Sequence, residues 1–169
     1  IFPLTITESL LDESSFQLDS QYLFGADHFD LVAGGRIYHT SIDPRNLQII
    51  PGLTASPIFE FFKPFSRHQY SAYLYSYLNS PRNLLWTFGL SYDSLEEREA
   101  TLSNALHPKV GLQWNLADPL QVRFAYIESL RPATIVDESL EPTQVAGFYQ
   151  SFDDPLGSRS RHYGFGLDY

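Results

Sequence analysis

About seven segments of this chain alternate, residue by residue, between two chemistries, and a period of two leaves extended β-strands as the structure that fits. The clearest runs over 84–93. Leu84, Trp86, Phe88, Leu90 and Tyr92 fall on one face, and Thr87, Gly89, Ser91 and Asp93 on the other. The same pattern sets Val110, Leu112, Trp114 and Leu116 against Lys109, Gly111, Gln113 and Asn115. It then sets Leu120, Val122, Phe124 and Tyr126 against Gln121, Arg123 and Ala125. Further strands are expected near 14–25, 29–39, 69–78 and 163–169, and 57–63 reads as an extra short strand. No segment shows the 3.6-residue period of an amphipathic helix.

The connections alternate in length. Those near 26–28, 79–83 and 117–119 are short and rich in turn residues, whereas those near 40–68, 94–108 and 131–161 are long and polar. Long loops without structure are uncommon in compact soluble domains. They are regular in membrane barrels, which have short turns at one end and long loops at the other. Aromatic residues make up 15% of the chain, with 11 Tyr and 13 Phe. Aromatic girdles at both lipid interfaces give a barrel a reason for that load. No apolar run approaches the about 20 residues of a spanning helix, so a membrane-spanning chain of this composition has to be a closed barrel.

Other features narrow the classes. There is no Cys, which excludes disulfide frameworks and thiolate metal sites within the chain. The net charge of −9 argues against nucleic acid as a partner. There is no Met, as in a processed chain or a segment of a longer one, and Ile1-Phe2-Pro3-Leu4 does not open like a signal peptide. The expected fold is all-β: an antiparallel meander of about seven strands over 1–169, part of a larger transmembrane barrel of the bacterial outer membrane. On it Trp86, Phe88, Leu90, Trp114 and Phe124 face lipid, and Arg36, Gln113, Gln121 and Arg123 face the lumen. An Arg at the bilayer midplane costs about 2–4 kcal/mol, which puts Arg36 and Arg123 inside, paired with carboxylates such as Asp19 or Asp30. A half-buried soluble sheet alternates in the same way, so a soluble all-β binding domain stays open at this point.

One stretch carries a family resemblance. His107-Pro108-Lys109-Val110-Gly111-Leu112 is followed by a turn and a returning strand that ends Tyr126-Ile127-Glu128-Ser129-Leu130-Arg131-Pro132. Then come Leu140-Glu141-Pro142-Thr143-Gln144 and Tyr163-Gly164-Phe165-Gly166-Leu167-Asp168-Tyr169. The order and spacing resemble the barrel of TonB-dependent outer-membrane receptors. Leu130 stands where that family usually has Phe, and Gln144 where an acid is common. The resemblance implies solute uptake without a chemical step, ligand capture by extracellular loops, a plug domain and a TonB-type energy-coupling protein as partners. It also implies that seven strands are about a third of a closed barrel. Related barrels behind tetratricopeptide repeats share parts of the pattern, and they imply assembly or secretion instead.

Candidate chemistry is sparse. His39, His68, His107 and His162 stand near the ends of the long loops, and imidazoles at one rim are a candidate site for a metal or metal chelate. The acidic loops, with Glu96, Glu97, Glu138, Glu141 and Asp153 among others, read first as solvated surface. Asp153-Asp154 is too close a pair for acid–base catalysis, and Ser158 and Ser160 sit on no nucleophile elbow. Gly34-Gly35 and Gly164-Phe165-Gly166 lie within strands, with no helix following to cradle a phosphate. They read as points of close approach by neighbouring strands or a plug. Nothing calls for a cofactor or an enzymatic activity.

Overall fold

The computed structural model describes residues 6–49, 58–61, 63–97, 100–131, 140–150 and 158–169. Its strands are β1 (Ile6–Ala26), β2 (Phe29–Ile49), β3 (Ile58–Phe61), β4 (Phe65–Asn79), β5 (Leu84–Glu97), β6 (Ala100–Ala117), β7 (Leu120–Leu130), β8 (Gln144–Val145), β9 (Phe148–Tyr149) and β10 (Arg159–Asp168). Seven of them form one antiparallel meander in the order β1-β2-β4-β5-β6-β7-β10, and β3 adds to β2. β8 and β9 make a separate small hairpin. No helix occurs among the described residues.

Tight turns lie together at one end, at Asp27–His28, 80–83 and Asp118–Pro119. They are tied to one another: Asn79 N donates to His28 O, and Asn115 N donates to Asn83 O, both at 2.9 Å. These turns fall where the turn residues predict them. The short strand expected within 57–63 is β3.

The far ends of the strands differ from expectation. Residues 40–49, 65–68, 94–97 and 100–108, expected in long loops, continue the ladder. A strand crosses a hydrocarbon layer in about 9–11 residues, whereas β2 runs for 21. Outside an apolar layer both faces meet water, so the alternation fades while backbone pairing goes on. Polar pairs then hold the register. Thr40 Oγ1 donates to Glu13 Oε1 at 2.9 Å, and Arg67 bridges to Glu97 at 2.6 Å.

The distribution of side chains is inverted relative to a water-soluble domain. On one face of the sheet, the covered face, the buried residues include Arg36, Thr40, Gln69, Thr87, Ser91, Asp93, His107 and Lys109. On the opposite, open face, Phe16, Leu18, Ile37, Leu74, Phe88 and Phe124 are exposed. Apolar surface in water is unfavourable by about 25 cal/mol per Å², so a sheet this apolar on its open side fits a non-aqueous surround.

Candidate functional site

The covered face is built in rows that run across the strands. One joins Asp19, Arg36, Ser71 and Asp93 on β1, β2, β4 and β5. Arg36 Nε meets Asp19 Oδ1 at 2.9 Å, and Ser71 Oγ donates to Asp93 Oδ1 at 2.6 Å. Asp19 is one of the two carboxylates, with Asp30, that the sequence offers as partners for Arg36. His107, fully buried on β6, sets its Nε2 3.7 Å from Asp93 Oδ2.

The next rows carry the centre of the site. Tyr75, Gly89 and Lys109 are consecutive across β4, β5 and β6. A side chain at Gly89 would bring its Cβ within 2.7 Å of the Tyr75 ring, so the glycine leaves room for that ring to lie across the strand. Lys109 Nζ then sits 5.4 Å from the ring centroid. Both polar tips converge on one carboxylate: Tyr75 Oη donates to Glu141 Oε1 at 2.6 Å, and Lys109 Nζ reaches the same oxygen at 2.9 Å. Gln150 Nε2 donates to Tyr75 Oη at 2.8 Å. Lys109 also donates to Ser91 Oγ.

Glu141 and Gln150 flank the β8–β9 hairpin, which lies on the covered face. Its turn is Ala146-Gly147 with φ of 49° and 81°, the left-handed pair of a type I′ two-residue hairpin. Val145 and Ala146 press over Gly111, where an added Cβ would come within 2.8 Å of Val145, and the Phe148 ring sits 2.7 Å from the Cβ position of Gly164. Tyr73, Tyr75, Ala125, Ile127, Val145 and Ala146 form the apolar cluster that seats the hairpin. Arg123 closes one side, pairing with Asp168 at 2.6 Å and lying 5.2 Å from the Phe148 ring centroid.

Residues 140–150 therefore lie against the sheet, in contrast to the outward polar loop expected over 131–161. The reason is local: Val145, Ala146 and Phe148 are apolar or small, and the glycines opposite form a trough of matching depth. The glycine-rich segments signalled the close approach, but not which segment makes it. The convergence on Glu141 was also missed. Its only sequence signal was the Leu140-Glu141-Pro142 motif.

Arg36, Gln113, Gln121 and Arg123 share the covered face in the register, and Trp86, Phe88, Leu90, Trp114 and Phe124 share the open one. The four candidate histidines divide. His39 and His68 are directly opposed on the open face of β2 and β4. His107 and His162 are on the covered face, apart from them. Among the described residues no group of three His, Asp or Glu side chains is positioned to hold a metal ion.

The model of the family described as TonB dependent receptor-like, beta-barrel matches residues 5–169. No curated protein sequence matches. Among solved structures, the crystal structure of BauA, the ferric preacinetobactin receptor from Acinetobacter baumannii, is similar in fold, with a TM-score of 0.50 at 17% identity. The match covers 98% of this chain and 27% of that one, so the chain spans about a quarter of the receptor it resembles.

Proposed function

Because this chain belongs to the TonB dependent receptor-like β-barrel family of outer-membrane transporters, we propose that it forms one arc of the wall of a solute-uptake barrel. The observation that carries the reading is the inverted burial: buried Arg, Lys, His and Asp on one face, exposed Phe, Leu and Ile on the other. The covered face then lines the lumen, with Arg36, Gln113, Gln121 and Arg123 toward the passage. The open face meets lipid through Trp86, Phe88, Leu90, Trp114 and Phe124. The tight turns belong to the periplasmic end, since barrels of this kind keep short turns there. A plug domain and a TonB-type coupling protein would supply the gate and the energy. The wall does no covalent chemistry. It holds a shaped, polar passage in which the 140–150 segment is fixed through Glu141 and Gln150 to Tyr75 and Lys109.

Uptake is tested on cells that carry or lack the full-length protein, using radiolabelled ferric chelates and cobalamin, with and without a protonophore. Loss of energised uptake of one of these on deletion is the expected result. Unchanged uptake of every probe, with the protein present in the outer membrane, would count against import and favour a role in assembly or secretion.

A further inference from the structure

The open face is apolar and aromatic over its middle, and one of its cross-strand rows breaks that character in a way the wall role does not need. The row reads Phe16, His39, His68 and Glu96 across β1, β2, β4 and β5. On the turn side of it lies the row Leu18, Ile37 and Tyr70. On the far side lies Ser14, Ser41 and Ser66. The histidine row is therefore the boundary between an apolar band and a polar one. His39 is the eleventh residue of β2 counted from the Phe29 end, and a barrel strand spends about 9–11 residues in hydrocarbon. Both imidazoles thus stand at the level where lipid gives way to water, within reach of dissolved ions.

The two rings meet through the same atom. His39 Nδ1 and His68 Nδ1 are 3.2 Å apart, with ring centroids 4.4 Å apart and planes tilted by 37°. A neutral pair satisfies this contact only if one ring carries its proton on Nδ1 and the other on Nε2, and two protonated rings would repel. A divalent metal offers a second arrangement, in which both rings keep their proton on Nε2 and offer Nδ1 as ligand. Zinc–imidazole bonds are about 2.0–2.1 Å. Two such bonds spanning the 3.2 Å gap meet at about 100–106°, close to the tetrahedral angle that four-coordinate zinc adopts. Imidazole pairs suit zinc, copper and nickel. The adjacent residue of the row, Glu96, adds negative charge beside the pair.

We propose that His39 and His68 form a two-imidazole site for a divalent transition metal ion on the lipid-facing rim of the barrel, with water completing the coordination. The site is separate from the lumen, so it serves to pin β2 to β4 at the membrane surface.

The test uses the full-length protein in detergent, with a wild-type-like mobility shift on boiling as the check that each variant is folded. Zinc binding is followed by calorimetry and copper(II) binding by electron paramagnetic resonance. Outer-shell partners of metal ligands are already worth about 10–100-fold in affinity. His39→Gln and His68→Gln should therefore each weaken zinc by at least that range, and the double variant should bind at least as weakly as either single one. The copper spectrum should show two coupled nitrogens in the wild type and lose that pattern in both single variants. Unchanged affinity in either single variant would overturn the site. So would zinc binding that appears only after lipopolysaccharide is added, because the ligands would then be lipid phosphates. Uptake measurements are independent: loss of metal binding with uptake intact leaves the transport reading standing, and the converse leaves the metal site standing.

Discussion

Removing the Tyr75 hydroxyl takes a donor from Glu141 and an acceptor from Gln150 at once. Lys109 remains, so the carboxylate keeps a charged partner. Hydrogen bonds to charged groups contribute about 1.5–3 kcal/mol, and Tyr75→Phe should lower stability within that range. Urea unfolding in detergent, read by tryptophan fluorescence, measures it, and a loss well under 1 kcal/mol would show that the Glu141 cluster does not hold the segment. Gly111→Val tests the trough from the other side. Its side chain would collide with Val145 and Ala146. Overpacking of this kind costs about 1–3 kcal/mol. The hairpin, rather than the ladder beneath it, should yield, so protease cleavage between 140 and 150 should rise while the boiling-dependent mobility shift persists.

At the scale of elements, the two faces of β5, β6 and β7 should behave as different surfaces. Phe88 lies on the open face a few residues above the turn, near the middle of the apolar band. Phe88→Arg should destabilise the barrel in bilayers by about 2–4 kcal/mol, whereas Gln113→Arg, on the covered face, should cost far less. Spin labels at 113 and 114 should differ in accessibility to a lipid-soluble relaxer, with the label at Trp114 the more exposed. Equal values would remove the face assignment. The period-two pattern made the middle of each strand legible because the covered and open faces carry opposite chemistries there. It did not reveal that β1, β2 and β4 run on past the apolar band, since the open-face row there is Ser14, Ser41 and Ser66 and carries no apolar residue. Nor could it show the seat of the β8–β9 hairpin, which depends on Gly111 and Gly164 meeting a segment from elsewhere in the sequence. The histidines stood out in the sequence only by their places near the ends of the expected long loops. Their division into an opposed pair, His39 with His68, and two covered residues follows from strand register, which single-residue positions do not encode.

For the whole molecule, the edge strands set the requirement. β1 pairs only with β2, and β10 only with β7, among the described residues. Unpaired backbone groups in hydrocarbon cost several kcal/mol each, so both edges have to meet further strands where this sheet crosses the bilayer. The full-length protein in the outer-membrane fraction should therefore migrate differently with and without boiling, as a closed barrel does. Recovery in the soluble fraction with no shift would contradict closure. The hairpin on the covered face bears on how such a molecule comes to be made. β1 and β2, β4 and β5, and β6 and β7 join through short turns, so the pairing within these three hairpins is local and fast. Tyr75 and Gln150 are separated by 75 positions in the chain, and contacts across so wide a loop form late. These three hairpins can thus form before the 140–150 segment is seated on them. The polar anchors of Glu141 and Gln150 then close over the sheet only after the hairpins beneath them are in place.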